Sequence, residues 1–448
     1  CSCLVIGMLP SSGSGSSQQA WQKPIAYADQ KQDEQKASSA ADSSKLQEEQ
    51  AKNEQKEEKQ EKQQTEAGQE TAVSAAASGF PIPELPAVLD SDTVSQQAAG
   101  KAEVTEEASA PTFLSATQPD QSALLVKDGG SATLLSAEIY KSGAGQGSQC
   151  LLYGINSAIL VRENSVLNMM ASEIEASSES AAGISCTGKD AYTRVSDSKI
   201  TTLGSESAGI QTMYHGTLSA STVQIYTSGN SSPAMNVRSG SSMTVQNGIV
   251  QTKGSASPLV QCAGTAVISN LNGNALDGNL GTFYEGASVE MRGNTLSANG
   301  YMPNDDTGAM FELRAEPDLT RGRPVKMLLS SSTVAINPGS AYAAAPLIKT
   351  DRTDFDVTLE QNSMKLLTSV LLCQNGGKGT LNLTSQYVCG SVDVYGDAQL
   401  NLVLQSDSAL EGFISSAESK GKVRLKMDRS SKLILSGDCY LEALENED

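Results

Sequence analysis

The stretch QIYTSGNSSPAMNV (Gln224–Val237) follows KITTLGSESAGIQT (Lys199–Thr212) by about 25 residues and returns about 25 residues later as IVQTKGSASPLVQC (Ile249–Cys262). A fixed interval of this size is the signature of units that cannot bury an apolar face alone and must stack on their neighbours. Aligned on the interval, Ile139, Ile174, Ile200, Ile225 and Val250 fall in one row, with Lys141, Ala176, Thr202, Thr227 and Thr252 two positions on. A second set contains Ile159, Ile184, Ile210, Met235 and Val260, followed two positions later by Val161, Cys186, Thr212, Val237 and Cys262. The period within each segment is two, which is a strand signal. Gly204, Gly229 and Gly254 recur at the corner, where a positive φ would suit glycine. Short strands, corners and about 25 residues per turn predict an all-β, single-stranded, right-handed parallel β-helix, the hand following the crossover rule. Roughly 12 or 13 coils at about 4.8 Å each would make a rod near 60 Å long.

Composition agrees. Only 4% of the 448 residues are aromatic, with one Trp and six Phe, too few for an ordinary globular core of this size. The formal charge of −19, with no dense basic stripe, argues against a nucleic-acid partner. It also argues against docking on anionic lipid. The cysteines form no CxxC and no zinc spacing, and a single histidine, His215, excludes a multi-histidine metal site. No apolar run is long enough for a transmembrane helix.

The chain divides into three parts. Residues 1–28 begin CSCLVIGMLP, which reads as a lipid-anchored Cys1 or the remnant of a signal peptide, and so points to export. Residues 29–120 read as a tether: a charged, aromatic-free stretch expected to be disordered, then a Pro-containing linker. About 80 such residues have a reach of roughly 50 Å. Residues 121–448 read as the β-helix, with irregular coils after about Leu271 and a C-terminal cap.

The segments YGINSAILV, TSGNSSPAM, KGSASPLV, YEGASVEM, LEGFI and LSGDCYLEAL resemble those of secreted or surface right-handed β-helix proteins of Gram-positive gut-type bacteria, described as adhesin-like or carbohydrate-binding. The resemblance covers about Gln121 to Leu444. It implies the fold and a surface role, and it carries no catalytic set onto this chain.

Candidate sites are few. The outward row Tyr140, Glu175, Thr201, Tyr226 and Gln251 offers phenol rings and an amide, so Tyr140, Tyr226 and Gln251 are the glycan-contact candidates. TDRTDFD brings Asp351, Asp354 and Asp356 close in sequence; paired carboxylates serve glycoside cleavage or bind Ca2+. Asn270–Asn279 is rich in oxygen ligands but departs from the EF-hand pattern. No catalytic residue, cofactor or metal site is assigned, with Ca2+ as the one alternative. The expectation is a noncatalytic cell-surface or secreted protein whose rod contacts a polysaccharide or surface glycan. The alternatives are a polysaccharide lyase or glycoside hydrolase on the same fold, and a structural spacer.

Overall fold

The computed structural model describes residues 98–447, apart from 147–148, 301–307, 316–322, 341–343, 366–368 and 416–419. Contacts divide the chain into Cys1–Ala75 and Ala76–Asp448, and every described residue belongs to the second unit. Cys1 and the charged stretch lie outside the described residues.

The described region is a parallel β-solenoid of about 13 turns, with ~25 residues per coil. Each coil lays one strand on each of three ladders. In one mid-solenoid coil these are Ile210–Met213, Thr217–Ser221 and Gln224–Thr227. The first ladder belongs to a 15-stranded sheet. The second and third are joined by Ser242–Thr252 and Thr265–Ala275, which run round the corner between them, so the two form one bent sheet of 22 strands.

The rows expected from the sequence are the observed register. Ile139, Ile174, Ile200, Ile225 and Val250 pair in succession and are almost fully buried. Ile159, Ile184, Ile210, Met235 and Val260 do the same on the first ladder. Burying each such side chain contributes about 1.5–3 kcal/mol, so small aliphatic residues repeated at every coil replace the missing aromatic bulk. Cys186 and Cys262 share one inward column through Thr212 and Val237, and both are free thiols. Their separation of three strand spacings, roughly 14 Å, rules out a bridge.

Hydroxyls secure the corners. Thr202, Thr227 and Thr252 each donate to the carbonyl five residues on, at 2.7–2.8 Å. The amides of Ala181, Ser207 and Ser232 donate to the hydroxyls of Ser207, Ser232 and Ser257, each 3.0 Å away. These are buried donors that would otherwise be unsatisfied. Two further runs of such bonds line the corner between the second and third strand ladders, one through Ser172 and Ser198 and one through Asn294, Ser332, Asn362, Gln386 and Ser408.

Two expectations need correction. Gly204, Gly229 and Gly254 do not have positive φ. A Cβ at Gly229 would sit 1.9 Å from the Gly204 carbonyl oxygen, and one at Gly254 would sit 1.8 Å from that of Gly229. Glycine stands there because successive coils touch backbone to backbone. The left-handed residues nearby are Glu206, Ser231 and Ala256. The solenoid also starts before residue 121. Ala99–Val104, Glu107–Ser109 and Phe113–Ala116 form a full coil beneath the one that begins at Gln121. That segment is rich in Ala and charge and includes Pro111, so its strands carry little apolar signal.

One short helix, Gln149–Tyr153, lies in the insertion between the second and third coils, and its Tyr153 ring stacks on Tyr214 with centroids 5.5 Å apart. At the other end, Leu435 and Leu444 in the final coil remain 60% exposed.

Candidate functional site

In a parallel ladder, outward residues at equivalent positions stack every ~4.8 Å. On the third ladder Ser115, Tyr140, Glu175, Thr201, Tyr226 and Gln251 form one such column, so the three glycan-contact candidates line up. Tyr140 and Tyr226 stand three steps apart, roughly 14 Å. Tyr140 is 39% exposed, and Phe113, at 62%, packs beside it with ring centroids 5.8 Å apart. The Tyr226 hydroxyl donates to Gln224 Oε1 at 3.2 Å. Carboxylates flank the column. Glu138, then partial burial and Glu173 and Glu175, push the Tyr140 phenol above its ordinary range. The phenol therefore stays protonated at physiological pH. Phe113 was not among the candidates because it lies in the coil that the sequence reading placed in the tether.

The acidic candidates occupy three different places. Asp351 ends a first-ladder strand, accepting from Asn375 Nδ2 at 2.7 Å and pairing with Arg352 at 3.4 Å. Asp354 sits before the second ladder, where its carboxylate accepts the Lys378 amide at 2.7 Å. Asp356 points outward on the second ladder and accepts from Asn382 Nδ2 at 3.1 Å. Asp354 and Asp356 are each engaged by the next coil. Among the described residues, no three His, Cys, Asp or Glu side chains gather closely enough to hold a metal ion. Part of the Asn-rich segment is strand: Asn270 makes the left-handed corner, and Asn272 and Asn274 lie in the ladder.

On the first ladder the residues between the inward rows are not open to solvent either. Its column Ser185, Gln211, Asn236, Gln261 and Thr282 is buried. Gln211 Nε2 donates to Ser185 Oγ at 2.6 Å, and Asn236 Nδ2 to Gln211 Oε1 at 3.4 Å. These amides hold one another and leave the second and third ladders as the open faces.

On the second ladder the structure assembles a group that the sequence scatters. Lys378, Gln399 and Lys422 stack in one outward column; Thr380, Asn401 and Arg424 stack in the next. Between them lies a depression of about 120 Å³, with Gly379 and Leu400 also in its lining and Glu442 at its rim. Glu442 bonds Lys422 Nζ at 3.1 Å and Arg424 Nε at 2.9 Å. These two contacts, with Arg424 the larger, hold its carboxyl below the usual range. Shorter coils put Lys378 and Lys422 in one column two strands apart. That register, once known, is the signal that would have found them.

No family model matches the chain, and no curated protein matches it.

Proposed function

We propose that this chain is a noncatalytic, exported β-helix protein that meets glycans at a cell surface or outside the cell. The observation that carries this reading is the outward column of the third ladder. There the exposed Phe113–Tyr140 pair, Tyr226 and Gln251 lie along a regular parallel sheet. Aromatic faces on a rigid strip suit stacking on sugar rings, and phenol and amide groups suit their hydroxyls. Rigid strands lower the ordering cost of binding.

The carboxylates suited to hydrolysis favour the noncatalytic reading. Asp354 and Asp356 each accept from a residue of the next coil, a role that holds successive coils together. A glycan array probed with the full chain, followed by titration of the best neutral polysaccharide, tests the proposal. Phe113→Ala with Tyr140→Ala should weaken binding at least tenfold and leave the circular dichroism spectrum unchanged. Binding that survives this double substitution removes the column as the contact surface.

A further inference from the structure

We infer that the depression on the second ladder is a separate site for an oxyanion carried on an acidic polysaccharide. It rests on the glycan-contacting reading but uses another face and other residues. Three cations, Lys378, Lys422 and Arg424, surround it, with one carboxylate, Glu442, at its rim. The charge of −19 belongs to the whole chain, but exposed charges act over a Debye length of about 10 Å. Within that range Asp354 and Asp356 offset the charge at the Lys378 end, so the cations are concentrated at the Lys422–Arg424 end, against Glu442. Lys378 has no ion-pair partner among the described residues. Lys422 and Arg424 share one acid, which leaves most of their donor hydrogens unused.

The layout suits a carboxylate or sulfate. Gln399 and Asn401 lie between the cations, one coil from each, and bring amide donors to the middle of the depression. Arg424 presents a planar fork. Of the nearby acids, Asp354 accepts the Lys378 backbone amide and Asp356 accepts from Asn382; both keep their negative charge, which directs an incoming oxyanion toward Lys422 and Arg424. Glu442 then acts as a resident counterion that an incoming oxyanion competes with for Lys422 and Arg424. This gives the proposal an asymmetric signature. Removing a cation weakens binding, while removing Glu442 strengthens it.

The test is titration of the full chain with polygalacturonate, chondroitin sulfate and a neutral polysaccharide at low and at physiological salt, alongside melting midpoints for every variant. Both acidic polymers should bind more tightly than the neutral one at this face, and salt should weaken them; their ranking tells carboxylate from sulfate. Lys378→Gln and Arg424→Gln should each cost about fivefold, and Glu442→Gln should gain about threefold, in line with exposed charge pairs. Phe113→Ala with Tyr140→Ala should leave acidic-polymer binding intact, so failure of the third-ladder reading is visible separately. In the Phe113→Ala with Tyr140→Ala background, equal binding of neutral and acidic polymers overturns the proposal, as does a folded Glu442→Gln variant that binds acidic polymer no better than the parent.

Discussion

Lys141 occupies the inward position filled by Ala176, Thr202, Thr227 and Thr252 in later coils, and it is 1% exposed. Its ammonium donates to the carbonyl of Gln118 at 3.1 Å and to that of Gly143. Burial, opposed by Asp120 and Cys150, lowers its pKa from 10.5 to about 8. The folded state therefore binds the proton less tightly than the unfolded chain does. Below pH 8 folding carries the full cost of the buried charge, and that cost fades as pH rises toward 10.5, so stability from this group increases with pH. Between pH 7 and 9.5 the gain is about 2 kcal/mol. Lys141→Met removes the titration while keeping a flexible apolar stem. Denaturant unfolding of parent and variant across pH 7–9.5 isolates the effect, because every other titrating group cancels in the difference. The parent should gain about 2 kcal/mol relative to the variant over that range. A pH-independent difference would show that Lys141 titrates normally, and the reasoning would fail.

Other substitutions probe the corners and the thiols. Gly229→Ala should cost more than about 3 kcal/mol, or abolish soluble expression, because the added methyl meets the Gly204 carbonyl; a melting midpoint within a degree or two of the parent would contradict the close approach. Ser232→Ala should cost about 1–3 kcal/mol in chemical denaturation, since it strands the buried amide of Ser207; a neutral result would mean that the corner ladder does not stabilise the fold. Burial raises the thiols of Cys186 and Cys262 to about 11 and about 12, so both should resist alkylation at pH 8 until the chain unfolds. Exposed Cys389 should react at once, and rapid labelling of Cys186 or Cys262 in the folded chain would refute the register.

The inward rows were legible because a period of two and an interval of about 25 leave little freedom. The Ile and Thr rows and the shared column of Cys186 and Cys262 followed from that alone. The left-handed corners between the second and third ladders were not legible. Ser136, Ala171, Asp197, Thr222, Asn247 and Asn270 hold them, and so varied a set carries no turn signature. Gly204, Gly229 and Gly254, read as turn residues, marked an inter-coil contact instead. Gln211, Asn236 and Gln261 look solvent-facing in sequence, yet they are buried. The tyrosine column could be read because it lies in the regular coils. Lys378, Lys422 and Arg424 could not, since only the shortened coils bring them into register.

The central claim is binding without turnover. The most direct measurement is prolonged incubation of the full chain with the polysaccharide it retains best, with and without Ca2+, while reducing ends, unsaturated ends and polymer length are followed. The account predicts saturable binding with polymer length unchanged. Release of new ends that is lost on Asp354→Ala or Asp356→Ala would contradict it and make the protein an enzyme.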